Sequence, residues 1–135
     1  MTREEILKLE PGPELDRLVA ERVKGWKRRL CEDEIDDRLR AAMLHEGTDE
    51  AWIGPNDEVL VGGPPRFSID IAAAWEVVED RRRWGWTWKM TGITGHWHVA
   101  LYDEDFNFLA EARAAEVTVA ICRAALSAVM EVNDG

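Results

Sequence analysis

Between Arg81 and Lys89 the chain reads Arg81-Arg82-Arg83-Trp84-Gly85-Trp86-Thr87-Trp88-Lys89: cations and indoles with no carboxylate, in a protein whose acids outnumber its bases 27 to 17. Guanidinium groups hold phosphates and carboxylates through forked hydrogen bonds. Indole faces stack planar rings such as nucleobases. Side by side they suit a small molecule that is anionic at one place and aromatic at another. His96 and His98, two residues apart, would add two hydrogen-bond donors for an anion. The same pair could begin a metal site with His45 or Cys31, but zinc takes three or four ligands and no such spacing is present. The candidate ligand-binding set is therefore Arg81, Arg82, Arg83, Trp84, Trp86, Trp88, His96 and His98, with no metal and no cofactor expected.

Plainer explanations stand beside these. Arginines at a helix end complement its dipole, and alternating indoles on a strand can floor a core. Asp70, Glu76, Glu79 and Asp80 read as a charged helix face, and Glu32 to Asp37 as a hydrated surface run. There is no phosphate-binding glycine loop, no G-x-S-x-G and no metalloprotease signature. No catalytic residue is assigned.

The elements that must position these residues follow from spacing. Thr2 and Glu5 form a capping box for a short helix ending at Pro11-Gly12. Pro13 opens a second, with Leu15, Leu18, Val19, Arg22, Val23 and Trp26 on one stripe. The pattern predicts a surface helix near 32–45, a hairpin or loop over 51–63, and a helix near 69–82 capped by Ser68. Three strands follow, at 83–90, 96–102 and 106–112, with connections too short for crossovers, hence an antiparallel meander. Trp84, Trp86 and Trp88 share a face of the first; Phe106, Phe108, Ala110 and Ala112 share a face of the third. A helix over 116–132 completes the pattern. The fold class is α+β: a three-stranded antiparallel sheet packed with helices.

The 135 residues fit one domain, 46% apolar and 33% charged. A net charge of −10 disfavours duplex nucleic acid and anionic membranes as partners. The opening MTREEILKLE lacks the apolar core of a signal peptide, and no apolar run reaches the ~20 residues of a membrane span. Cys31 and Cys122 show no redox or zinc spacing. A reduced, cytoplasmic protein is expected.

Three runs resemble a known family. MTREEILKLEPGPELDRLVAERVKGW (1–26), PPRFSIDIAAAWEVVED (64–80) and AICRAAL (120–126) are similar to small phage and prophage proteins with the phage ABA sandwich domain. The resemblance implies an α+β sandwich, one domain over residues 1–135, and an accessory phage protein made in the cytoplasm of an infected bacterium. Two departures are visible. The charged stretch 27–50 reads as an insertion, and Glu116-Val117-Thr118-Val119 lacks the threonine and proline that usually lead into the last helix. The family brings no catalytic residues to transfer.

Three functions are compatible with these residues. The first is a non-catalytic binding protein that sequesters an anionic nucleotide-type immune signal of the host. The second is a protein-interaction module, a homo-oligomer or an inhibitor of a host protein. The third is a small hydrolase with an unrecognised site. Seven tryptophans on so small a chain favour a homo-oligomer that covers some of them.

Overall fold

The computed structural model describes residues 1–134, with side chains through Met130. Thr2 caps α1 (Arg3–Leu7), and the Glu5 carboxylate reaches back to complete the box. Pro13 opens α2 (Pro13–Leu18), which widens into a π-helical turn, Val19–Val23. There the Lys24 amide donates to the Val19 carbonyl, five residues back, at 3.0 Å. Next come β1 (Lys27–Leu30), α3 (Asp37–Glu46), β2 (Glu50–Ile53) and β3 (Val59–Val61). The remaining elements are α4 (Ile71–Arg83), β4 (Thr87–Ile93), β5 (His96–Tyr102), β6 (Phe108–Ala114) and α5 (Val117–Asp134).

The fold is α+β. Strands β4, β5 and β6 make the expected antiparallel meander, and the order β1-β2-β3 makes a second small sheet. Helix α5 is central. Its Val119, Ile121, Cys122, Ala124, Ala125 and Leu126 are all buried, between the large sheet on one side and α1, α4 and the π-helical turn on the other. Register fixes which sheet face meets it: Trp88 lies opposite Leu101, Met90 opposite Val99, and Val99 opposite Ala112. The other face, with Lys89, Thr91, Ile93, His96 and His98, turns away from α5.

Four local expectations are corrected. The predicted helix over 32–45 is shorter, beginning at Asp37, and the basic run before it is strand β1. That strand is held by charge: the Glu50 carboxylate takes Arg28 Nε at 3.1 Å, Arg17 at 3.5 Å and the indole N–H of buried Trp52 at 2.7 Å. Ser68 does not cap α4; Asp70 does, accepting from the Ala72 amide at 2.9 Å. Ser68 is buried instead, donating amide and hydroxyl to Asp16 at 2.8 and 2.7 Å, while its carbonyl accepts from the Thr118 hydroxyl. Phe106 and Phe108 leave the core face. A bulge sets Tyr102 against Phe108 and Leu101 against Ala110, so the extra residue, Leu109, packs on the core and both phenylalanines are exposed. Finally, α4 runs through Arg83, so β4 begins four residues later than 83–90 implies.

The β5–β6 turn is pinned by Asp103, whose carboxylate accepts from the Asp105 and Asn107 amides at 2.9 Å each. The Asn107 amide above all holds the Asp103 carboxyl below its usual value. The contribution is therefore complete above the ordinary carboxylate range and is lost as pH falls through the lowered value. Cys122 shows the opposite shift. Burial, with Asp16 adding to it, pushes its thiol far up and keeps it protonated. A thiol reagent is expected to modify one group per native chain, the half-buried Cys31, and two after denaturation. Rapid modification of both in native protein would contradict the burial of α5.

Candidate functional site

The site grows from the way α4 stops. Gly85 sits at φ +89°, the Trp86 amide donates to the Arg81 carbonyl at 3.1 Å, and the Gly85 amide to the Arg82 carbonyl at 2.9 Å. These are the six-to-one and five-to-two bonds of a glycine-terminated helix. A side chain at position 85 would also press on Glu104 Cβ at 3.2 Å. The stop turns the chain back over the helix end and lays two indoles against Arg81. Its guanidinium carbon is 3.8 Å from the Trp84 ring centre and 5.5 Å from that of Trp86, within cation–π range. The two rings meet edge to face, 5.8 Å apart at 80°.

Arg81 is only 4% exposed. One terminal nitrogen donates to the Val23 carbonyl, where the π-helical turn ends, and its Nε has no partner. Burial pushes the guanidinium below its usual value, with Asp80 opposing the shift, but an arginine keeps its charge. A cavity of about 430 Å³ opens beside it, walled by Arg22, Lys24, Asp80, Arg83, Trp84 and Trp86. Lys24 pairs with Asp80 at 3.1 Å, and Arg83 approaches the same carboxylate at 3.9 Å. Counting Arg81, four cations surround one carboxylate, so the cavity attracts anions.

A second cavity, about 380 Å³, lies across Trp86 and is walled by Trp75, Val78, Arg82, Trp88 and Met90. Trp88 Nε1 is buried there without a hydrogen-bond partner. A larger groove of about 820 Å³ follows the other flank of α4 toward Trp26 and the β2–β3 turn.

The sequence-predicted residues divide accordingly. Arg81, Arg83, Trp84 and Trp86 meet at the first cavity; Arg82 and Trp88 join Trp86 at the second. Trp84 caps α4 and is 60% exposed, so the three indoles do not form one strand stripe. His96 and His98 belong to neither cavity. They lie on the sheet face away from α5, opposite in parity to Trp88; His98 Nε2 is 2.9 Å from Glu111, and His96 Nε2 is buried without a partner. Arg22 and Lys24 are site residues that the spacing did not suggest. The available signal was Arg22 itself, a charge standing in an otherwise apolar helical stripe.

Helices on one side of an antiparallel sheet, with α5 at the centre, define an α+β sandwich. Residues 17–126 match the phage ABA sandwich domain, and the chain belongs to that family; it is a phage protein of this fold. Its structure is also similar to the crystal structure of a phage protein from Bacillus cereus ATCC 14579. The TM-score is 0.53 and the identity 21%, over 90% of this chain and 89% of that one. At that identity the likeness concerns the fold alone. No curated protein matches the chain. Among the described residues, no helix is long and apolar enough to cross a membrane, and no three His, Cys, Asp or Glu are grouped to hold a metal ion.

Proposed function

We propose that the protein is a non-catalytic phage accessory protein that sequesters a small anionic nucleotide-type molecule, an immune signal of the infected host, in the cytoplasm. One observation carries the reading. Arg81 is stacked on two indoles at the wall of a cavity holding three further cations. Four cations around one carboxylate leave the cavity with excess positive charge, which a phosphate would balance. Trp84 beside it offers an exposed face for a base. Sequestration needs affinity and abundance alone, which fits a site with no catalytic constellation.

The test is to incubate the protein with a metabolite extract of infected bacteria, wash it, denature it and identify what is released by mass spectrometry. A phosphorylated, base-containing compound is expected, absent when the phage is omitted or when the host makes no such signal. Release of no anionic compound would end the reading.

A second reading is favoured by a separate observation. On the sheet face away from α5 and at the β5–β6 turn, Ile93, Phe108 and Phe106 are 46–74% exposed. A second copy of the chain would cover them. Light scattering at micromolar concentration is expected to give at least twice the chain mass of 15.4 kDa; a clean monomer would remove this reading and leave the first intact.

A further inference from the structure

Resting on the sequestration reading, we infer that the ligand is a dinucleotide: two bases, one in each cavity, joined by phosphate that crosses Trp86 beside the three arginines.

Trp86 is the wall the two cavities share. Each side has the parts one nucleotide requires. The first has the exposed ring of Trp84, the free face of which can stack a base, and the cations Arg22, Lys24 and Arg83. The second has Trp75, 48% exposed, and Trp88 as stacking walls, with Arg82 as its cation. The consecutive arginines divide between the cavities: Arg81 and Arg83 line the first and Arg82, with Trp88, the second. The exposed guanidinium groups of Arg82 and Arg83 suit phosphate oxygens.

Size agrees. The cavities measure about 430 and 380 Å³, and each lies at the lower end of the ~300–1,000 Å³ typical of small-molecule sites. A single base bearing several phosphates would fill the aromatic cavity with its base and the cationic cavity with its phosphates. Trp84 would then have no ring to stack.

The test is calorimetric titration of the full chain with AMP, ATP, linear pApA, cyclic di-AMP and the 5′,5′-linked dinucleotide NAD, and with the guanine counterparts of the first four. At least one two-base compound is expected to bind roughly ten- to a hundredfold more tightly than either its monophosphate or its triphosphate, the gain from stacking a second base. Trp75→Ala and Trp84→Ala alter exposed side chains on opposite sides of Trp86. Each is expected to lower dinucleotide affinity roughly ten- to a hundredfold, the loss of one stacked base. If a triphosphate binds as tightly as every two-base compound, the dinucleotide inference fails and sequestration of a nucleotide stands. If no nucleotide in the series binds, both fail. If a dinucleotide binds tightly but is indifferent to both tryptophan changes, the two-cavity placement is wrong.

Discussion

The double variant Arg22→Gln/Arg83→Gln is expected to fold like the parent and to bind the nucleotide recovered from infected-cell extract roughly a hundred- to ten-thousandfold more weakly, two charge-assisted hydrogen bonds at ~1.5–3 kcal/mol each being lost. Both side chains are exposed, and Arg83 makes only a loose 3.9 Å approach to Asp80 among the described residues. Exposed pairs of this kind contribute little to stability, so the melting temperature should be unchanged. The affinity gap between parent and variant should narrow as salt rises, because the lost interactions are screened. Arg81→Gln supplies the contrast. It removes a buried group that ties α4 to the Val23 carbonyl and is stacked on two indoles, so it should lower the melting temperature as well as the affinity. Calorimetry and thermal unfolding on the same samples separate the two effects. Parental binding by the double variant would remove the cavity as the site.

Trp52→Ala is expected to have the largest effect on stability, a loss of about 3–5 kcal/mol, the usual range for deleting a buried large aromatic ring. Trp52 is fully buried, belongs to the main core and donates to Glu50, which also gathers Arg17 and Arg28. Removing it opens a cavity and takes one donor from a half-enclosed carboxylate. For a domain of this size the melting temperature should fall by roughly 10–20 °C, at about 4 °C per kcal/mol. Circular dichroism followed on heating would measure it. A fall of only a degree or two would mean that the small sheet contributes little to the cooperative unit and that the core is carried by α5 and the large sheet.

The parts of the fold legible in the sequence were those with strong periodicity or a matching cap. The Thr2–Glu5 box, Pro13, the β4–β6 meander and the alternation of Trp97, Val99 and Leu101 against His96 and His98 all have local causes. What was hidden depended on distant partners. Lys27-Arg28-Arg29 looks like a solvated charge run until Glu50, twenty residues on, gives Arg28 a carboxylate. Ser68 looks like a cap until Asp16, 52 residues away, takes both its donors. The strand face containing Phe106 and Phe108 ignores a bulge that only the pairing with β5 creates. At the candidate site the composition of the Arg–Trp run was informative but its geometry was misassigned. Gly85, two residues past a run of three arginines, is a helix-stop signal in its own right, and it outweighs the period-two spacing of the indoles. His96 and His98 were excluded from the cavities by parity alone.

The central position of α5 has a consequence for synthesis. Arg123 reaches across to the Leu9 carbonyl, 114 residues away in the chain, with hydrogen bonds of 2.9 and 2.6 Å. Thr118 holds Ser68, and Val129 forms part of the wall of the cationic cavity. On a translating ribosome, every other element therefore emerges before the one that buries them, and contacts of such long sequence separation form late. A nascent chain stalled or cleaved ahead of residue 117 would contain Arg81, Arg83, Trp84 and Trp86 yet have no enclosed site to offer. Competence arrives in one step, when the last helix docks. Each abortive product is a target for proteolysis.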